Sequence, residues 1–262
     1  MLRKKLSPIN FFKKILLFLS LLGIKPYVFL TFIKYFPKYL RDRRNWKRQG
    51  GKITTSYPIV NNFNAPSSVA GGQYFHQDLL VATYIFLKNP IKHIDVGSRI
   101  DGFVAHVASF REIEVFDIRP LEDKKHPNII FKQQDFMKLS HEFKTDSLSS
   151  LHALEHFGLG RYSDSIDVNG FEKGVNSLIS ILDSNGMLYI SFPIGRRDEV
   201  HFNAHRVFHP LSLLKLQSVI DNLKLINFDC VDDSGDLHKS VNINSILDSF
   251  TLGLGIYSFQ KK

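Results

Sequence analysis

The sequence predicts an α/β fold built on a mostly parallel sheet, and three observations lead to this prediction. Short β-rich runs alternate with helical stretches from about residue 91 onwards, which is the pattern of consecutive β–α units. A glycine-bearing turn, 97–102, follows the first β-rich run, and Asp117 directly follows the second. The last two expected strands, 223–231 and 254–259, are separated only by a loop. We therefore expect seven strands, of which the last inserts antiparallel to its neighbours.

The individual elements are expected in the following order. The strands cover 91–96, 113–116, 128–131, 147–151, 187–192, 223–231 and 254–259. The helices cover a stretch that ends at Leu87, then 103–110, 171–182 and 210–220. The last of these helices begins with a proline, whose fixed φ suits a first helical turn. Asn185 and Gly186 predict a turn just before the fifth strand.

The charge of +9 is concentrated in the first fifty residues. Residues 1–50 carry thirteen Lys and Arg against one acid, a net +12, whereas 51–262 carry twenty-one against twenty-four, a net −3. The slightly acidic remainder argues against a general nucleic-acid surface. We expect a basic, apolar helical arm over 1–50, lid or cap helices over 51–90, and a ligand-binding α/β domain over 91–262.

The arm is predicted to lie on a membrane rather than to cross it. Its apolar run, 15–24, spans only ~15 Å as a helix, which is shorter than a bilayer core of roughly 30 Å. The run also lacks a convincing signal-peptide cleavage site. Aromatic residues interleaved with Lys and Arg over 27–47 suit an in-plane anchor on anionic lipid. The alternative is that these helices pack on the domain or on a second subunit. The single cysteine, Cys230, fits a reducing compartment, so we expect a cytoplasmic protein, at the inner membrane face if the arm binds lipid.

The turn after the first strand indicates a nucleotide ligand. Gly97 lets a ligand lie against the backbone, and the helix that follows offers unpaired N–H groups at its start. Asp117 is placed to accept the hydroxyl groups of a ribose. Arg99 replaces the middle glycine of the dinucleotide fingerprint, which disfavours a nicotinamide dinucleotide. After the third strand, Asp135 can accept from the exocyclic amine of adenine, and Phe136 can cover the ring.

The strongest chemical signal follows the fourth strand. In an open parallel sheet, ligands bind outside the carboxyl ends of the strands, so Glu155 and His156 are expected beside the reacting group. Histidine titrates near neutral pH, which makes His156 the preferred general base and His205 the reserve. Arg161 is expected to hold an anionic group of the acceptor. The alternative is a helix-start glutamate beside a buried histidine.

Other polar residues are expected to contact the acceptor. His76 and Asp78 precede the first strand, as a lid would, although helix caps or buried hydrogen-bonding groups are the alternative. Asn203 and Arg206 are expected, with His205, on an acceptor-binding loop. The histidines at 201, 205 and 209 have the spacing of metal ligands on a helix, but the glutamate of a zinc-protease helix is absent, so no metal is expected.

Several of these motifs resemble known families. Over about 90–262 the chain resembles class I S-adenosylmethionine (SAM) methyltransferases, on Asp95-x-Gly97, Asp117, Asp135, Leu154–His156 and the Leu182–Leu188 stretch. Over about 55–262 it looks like the domain of unknown function 268 family, on Phe75–Asp78, Asp95–Phe103, Glu155–Tyr162 and Phe202–Arg206.

The resemblance implies a Rossmann-like fold and methyl transfer from SAM. Gly97 would then lie near the methionine part of the cofactor, Asp117 at its ribose and Asp135 at its adenine. Arg99 and Asp101 stand where the methyltransferase loop has glycines. They would either clamp the amino-acid end of SAM or indicate a site that has changed its ligand.

The leading hypothesis is a SAM-dependent O-methyltransferase. Its acceptor would be a polar small molecule or a sugar of a bacterial surface glycan. The first rival is a nucleotide-sugar-modifying enzyme of another class, such as an oxidoreductase, that uses the same Asp117. The second is a non-catalytic scaffold of the same fold that recruits partners through residues 1–50.

Overall fold

The structure is a computed structural model that describes residues 19–20, 23, 26–60, 63–122, 126–139, 143–247 and 249–262. The chain divides into two compact units, Met1–Val69 and Ala70–Lys262. Most of the apolar run predicted over 15–24 lies outside the described residues.

The first unit contains one long helix, α1 (Pro26–Arg48). Its N-terminal half exposes apolar side chains, among them Phe29 and Leu30, each about two-thirds exposed at 65% and 66%. Its C-terminal half exposes basic side chains, among them Arg41 and Arg44. No helix within the described residues is long and apolar enough to cross a membrane.

The second unit is built on one large sheet, as the alternating pattern predicts. Its strands are β1 (His93–Val96), β2 (Ile113–Asp117), β3 (Ile129–Gln133), β4 (Thr145–Leu151), β5 (Leu182–Ile194), β8 (Leu223–Val231), β9 (Leu237–His238) and β10 (Gly253–Lys261). A separate two-stranded hairpin consists of β6 (Glu199–His201) and β7 (His205–Val207). The order across the sheet is β3-β2-β1-β4-β5-β10-β8-β9.

The last strand inserts as predicted, but the strand count differs. Strands β1 to β5 pair in parallel, and β10 lies antiparallel between β5 and β8. The sheet has eight strands rather than seven because two residues, Leu237 and His238, add a short edge strand beside β8. The predicted turn at Asn185 forms an irregularity in β5: Thr145 pairs with Leu182, whereas Ser147 pairs with Met187.

Helices cover both faces of the sheet, which is why its strands are apolar on both sides. The helices of this unit are α2 (Gln73–Lys88), α3 (Ala105–Ala108), α4 (Gly170–Ile181) and α5 (Gln217–Asn222). Alternate residues of β5 point into different cores: Leu188 and Ile190 join the cluster that contains α4, and Tyr189 joins the cluster that contains α2. This arrangement is the Rossmann-like fold that the resemblance implies.

Two predicted helices are interrupted. The helix expected over 103–110 is a π-helical turn, Ile100–Val104, followed by the short α3, because the backbone of Gly102 is not helical (φ −121, ψ −107). The helix expected over 210–220 consists of a 3₁₀ turn, Leu213–Lys215, and α5. Leu216 between them is extended (φ −66, ψ 130), so the two pieces do not join.

Candidate active site

A cavity of about 840 Å³ lies at the carboxyl ends of strands β1 to β4. It is lined by residues that end each of these strands or come one or two positions after it, among them Gly97, Asp117, Asp135 and His152. The parallel pairing of the four strands brings their ends to one edge of the sheet. The volume is within the range of about 300–1,000 Å³ that is usual for small-molecule sites.

Gly97 is held against the loop that follows β4. Its φ is +76, and a Cβ built on it would lie 2.8 Å from the Cβ of Ala153. Its N–H donates to the carbonyl of Phe116 at 2.8 Å, which extends the pairing of β1 with β2 by one residue. The position therefore requires glycine, both for its left-handed backbone and for the close approach.

Asp95 stabilises this turn through hydrogen bonds to Ser98 and does not line the cavity. Its carboxylate is fully buried and accepts from the Ser98 N–H at 3.0 Å and from the Ser98 hydroxyl at 2.6 Å. The Ser149 hydroxyl donates to it as well. In this structure Asp95 therefore positions the Gly97 turn.

The buried carboxyl of Asp95 predicts a pH-dependent stability. Burial raises its pKa from the ordinary 3.8 to about 6, against the opposing effect of the serine hydrogen bonds. Because the folded pKa exceeds the unfolded one, the stability from this group is present below the unfolded pKa and is lost as the pH rises through the folded one. The loss amounts to about 3 kcal/mol.

The non-titrating variant Asp95→Asn isolates this effect. We expect the free energy of unfolding of the wild type, relative to the variant, to fall as the pH rises from about 4 to about 7. Burial also lowers the pKa of His93 to about 3, so this histidine makes the free energy of unfolding rise with pH over an overlapping pH range. His93 is present in both proteins, and its contribution therefore cancels in the difference between them. Urea unfolding at several pH values measures the difference. A constant difference would contradict the prediction.

Asp117 ends β2, and its carboxylate is held by Arg119. The Arg119 backbone N–H and Nε donate to Oδ1 at 2.8 and 3.0 Å, and Nη2 donates to Oδ2 at 2.6 Å. The guanidinium also lies 4.3 Å from the ring centroid of Tyr162. Arg119 thus connects the loop after β2 with the loop after β4. Arg119 and Tyr162 both line the cavity.

Asp135 follows β3 and lines the same cavity. One carboxylate oxygen, Oδ1, caps the turn Phe136–Lys138 by accepting from the Met137 N–H at 2.9 Å. The other, Oδ2, lies 3.9 Å from the Lys138 ammonium. Phe136 contributes to the lining but is only 2% exposed, because its ring packs edge-to-face on Phe116.

A buried cluster of one carboxylate and two imidazoles follows β4. Glu155 is 1% exposed, and its Oε1 lies 2.9 Å from His152 Nδ1 and 3.6 Å from His156 Nε2. Burial lowers the pKa of His156, and the nearby Glu155 carboxylate opposes this shift. His156 is therefore neutral near pH 7, as a general base must be.

The hairpin β6–β7 packs against this cluster. The Ala204 carbonyl lies 2.8 Å from His156 Nδ1 and accepts from Arg161 Nη1 at 2.7 Å. Arg206 is buried and donates to the carbonyls of Glu155 and Phe157, at 3.3 and 2.6 Å. In this structure Arg206 positions the loop after β4 and does not line the cavity.

The structure brings nine of the fourteen predicted site residues to the cavity lining: Gly97, Arg99, Asp117, Asp135, Phe136, Glu155, His156, Arg161 and His205. The other five lie outside it: His76, Asp78, Asp95, Asn203 and Arg206. Asp78 is buried beneath the π-helical turn, where a Cβ on Gly102 would lie 2.6 Å from its Oδ2. His76 packs edge-on against Phe75, and Asn203 is exposed in the hairpin loop.

Arg99 does not block the cavity. Its guanidinium pairs with Asp101 at 2.9 Å, and the two side chains are 55% and 77% exposed. It also lies 5.2 Å from the ring centroid of Tyr74. His201 and His205 lie on the hairpin rather than on a helix, with their rings 5.0 Å apart. The described residues contain no group of three His, Cys, Asp or Glu side chains arranged to hold a metal ion.

Among the lining residues that were not predicted, Arg119, His152 and Tyr162 contact predicted site residues or their partners. His152 follows β4 directly, so the rule that places ligands at strand ends was enough to find it. Arg119 and Tyr162 depend on the meeting of two loops, for which the sequence carries no local signal.

The family comparison supports the resemblance found in the sequence. The sequence model of the family described as "Caenorhabditis protein of unknown function, DUF268" matches residues 113–224. This is a shorter stretch than the predicted resemblance over about 55–262. No curated protein matches the chain significantly in sequence.

Solved structures share the fold at low identity. The 1,6-didemethyltoxoflavin-N1-methyltransferase of Burkholderia thailandensis, with 1,6-didemethyltoxoflavin and S-adenosylhomocysteine bound, is 12% identical with a TM-score of 0.50, over 71% of this chain and 78% of that one. The N-methyltransferase NodS of Bradyrhizobium japonicum WM9, in complex with S-adenosylhomocysteine, is 11% identical with a TM-score of 0.49, over 76% and 92%. Residues 113–224 therefore match the DUF268 family model, and the structure with a TM-score of 0.50 shows that the chain has the fold of these methyltransferases, so both resemblances that its motifs predict are confirmed.

Proposed function

We propose that the chain is a SAM-dependent methyltransferase that methylates an oxygen atom of a polar acceptor, such as a sugar of a bacterial surface glycan. One observation carries the proposal: Gly97, Asp117 and Asp135 follow three adjacent parallel strands and line one cavity. Ligands of open α/β sheets bind at this edge, and a carboxylate at the end of the second strand suits a ribose.

The residues of the cavity fit SAM in three respects. Gly97 leaves the backbone of the first turn accessible. Asp117 would hold the ribose hydroxyls, and Asp135 would face the adenine. The fit requires one movement, because Arg119 occupies both oxygens of Asp117. The Arg119 side chain is 46% exposed and therefore has room to move away into solvent.

When bound, SAM would supply a methyl group on a positively charged sulfur, which an acceptor oxygen attacks. The protein's own task would be to align that oxygen and to remove its proton. The cluster of Glu155, His152 and His156 provides imidazole and carboxylate groups for the proton. Arg161 has no acidic side-chain partner among the described residues. Its charge would suit an anionic group of the acceptor.

Calorimetry with the full chain tests the cofactor. We expect SAM to bind and NAD not to bind. Binding of NAD alone would instead support an oxidoreductase that uses the same Asp117, and binding of neither would support a non-catalytic scaffold. Transfer of a labelled methyl group to a panel of sugars and amines then identifies the acceptor. A product methylated only on nitrogen would contradict the O-methylation part of the proposal.

We also propose that the first unit binds an anionic membrane surface. Helix α1 presents exposed Phe29, Leu30 and Ile33 in its N-terminal half and exposed arginines in its C-terminal half. Apolar side chains that insert at the headgroup level, next to cations that face anionic lipid, suit a helix lying in the membrane plane. Such an arm would place a cytoplasmic enzyme at the inner face of the membrane.

Sedimentation with lipid vesicles tests this contact. The full chain should sediment with vesicles that contain anionic lipid, and deletion of residues 1–50 should remove this binding. Arg41→Gln combined with Arg44→Gln should weaken it about 30-fold, because each basic residue near an anionic surface contributes about 1 kcal/mol. The matched control is the same protein with neutral vesicles. Equal sedimentation of the full chain and the truncated chain would contradict the proposal.

A further inference from the structure

His152 has an unusual backbone for its residue type. It follows β4 directly, and its φ is +51, in the left-handed region that non-glycine residues rarely adopt. Its imidazole stacks on the ring of Tyr74, with centroids 4.4 Å apart, and the side chain is only 7% exposed. Residues held in such conformations by their surroundings are concentrated at ligand sites.

His152 is oriented by Glu155. Its Nδ1 lies 2.9 Å from Glu155 Oε1, and a carboxylate can only accept a hydrogen bond. Nδ1 therefore carries the proton, and Nε2 keeps a free lone pair. Among the described residues, neither His152 Nε2 nor Glu155 Oε2 has a hydrogen-bond partner, although both atoms are buried.

Two buried hydrogen-bond acceptor atoms in this cluster have no donor, which indicates a ligand. Buried polar atoms are nearly always hydrogen-bonded, because an unpaired one costs about 1–3 kcal/mol. His152 and Glu155 both line the cavity. A molecule that brings two hydrogen-bond donors would satisfy His152 Nε2 and Glu155 Oε2 together.

His156 is less suited to receive a proton. Its Nδ1 lies 2.8 Å from the Ala204 carbonyl, which only accepts, and 3.4 Å from Arg161 Nη1, which only donates. Because the contact with the carbonyl is much the shorter, we assign the proton of the neutral ring to this nitrogen. Its Nε2 lies 3.6 Å from Glu155 Oε1. The lone pair of His156 therefore faces a carboxylate oxygen, whereas that of His152 faces no protein donor or acceptor among the described residues.

We propose that His152, oriented by Glu155, receives the proton of the acceptor hydroxyl, and that Glu155 Oε2 binds a second donor of the same molecule. The acceptor would therefore belong to the class with at least two hydroxyl groups. The inference rests on the proposed methyl transfer and assigns the general base within it. The oxygen of the methyl acceptor keeps the electron pair of its O–H bond and forms the new bond to the methyl carbon. The proton passes to His152 Nε2. The electrons of the broken carbon–sulfur bond stay on sulfur. Solvent then takes the proton from His152.

The assignment of His152 as the base can be tested without a methyl acceptor, by measuring which of its imidazole nitrogens carries the proton. Nitrogen NMR of the full chain with isotope-labelled histidine distinguishes the two tautomers, and His152→Gln and His156→Gln assign the signals. We expect His152 to carry its proton on Nδ1. In Glu155→Gln, whose amide can donate to Nδ1, the fraction of His152 protonated on Nε2 should rise. A wild-type His152 protonated on Nε2 would overturn the inference.

Kinetics with an acceptor found in the labelled-methyl screen give a second test. His152→Gln should lower kcat about 10²–10⁴-fold and remove the acidic limb of the pH profile, because a general base acts only when it is deprotonated, while the Kd of SAM stays unchanged. His156→Gln is the matched control and should cost less. Removal of the second hydroxyl group, the one assigned to Glu155 Oε2, from the acceptor should raise KM about tenfold. Normal turnover by His152→Gln would refute this inference alone, whereas a wild type that does not bind SAM would refute the proposed function.

Discussion

Alanine at Asp117 should abolish SAM binding at the concentrations used in calorimetry. The carboxylate would accept hydrogen bonds from the ribose, and a hydrogen bond to a charged group contributes about 1.5–3 kcal/mol. Loss of two such bonds raises Kd by about 10²–10⁴-fold. Unfolding should remain cooperative, because among the described residues the Asp117 carboxylate bonds only within its own loop, to Arg119.

Two control variants make this result specific. Asp221→Ala removes a carboxylate that accepts from Gln217 on α5, outside the cavity lining, and should leave Kd unchanged. Arg119→Ala removes the side chain that occupies Asp117 and keeps the carboxylate, so SAM should bind at least as tightly as in the wild type. An Asp117→Ala protein with a normal Kd would remove this residue from the binding site.

Valine at Gly97 should destabilise the protein and prevent SAM binding. The left-handed backbone costs a β-branched residue about 1–3 kcal/mol. The contact with Ala153 adds an overpacking cost of about 1–3 kcal/mol, because a Cβ here would lie 2.8 Å from another Cβ. The free energy of unfolding should therefore fall by about 2–6 kcal/mol, as measured by urea denaturation.

Gly50→Val separates the two causes. Gly50 has a similar φ of +84, but nothing lies within 4 Å of a Cβ built there. The control should therefore show the conformational cost without the packing cost, and it should bind SAM normally. Equal destabilisation and equal SAM affinity of the two variants would mean that the close approach of Gly97 to Ala153 has no role.

Much of the sheet could be predicted because its strands are short, apolar and separated by turn residues. The strand at 223–231 has the predicted bounds, and Asp117 ends its strand as expected. The edge strand Leu237–His238 has two residues, too few for any periodicity. The break in the helix after Gly97 depends on the close approach of Gly102 to Asp78, two residues far apart in the sequence.

The site was predictable where a residue lies at the end of a strand or within four positions after it. Gly97, Asp117, Asp135 and Glu155 line the cavity because parallel pairing alone determines where the strand ends lie. Arg206 was expected to contact the acceptor, but it is buried and donates to two carbonyls of the β4 loop. Such a role depends on how the hairpin packs, and the sequence around Arg206 contains no signal for it.

The central claim is that the cavity at the carboxyl ends of the strands holds SAM through Asp117 and Asp135. A crystal structure of the full chain with S-adenosylhomocysteine tests this claim most directly. We predict the ribose hydroxyls on Asp117, with Arg119 displaced from it, and the adenine beside Asp135. Ligand density elsewhere on the chain, or a bound ligand with the Arg119–Asp117 pair intact, would contradict the account.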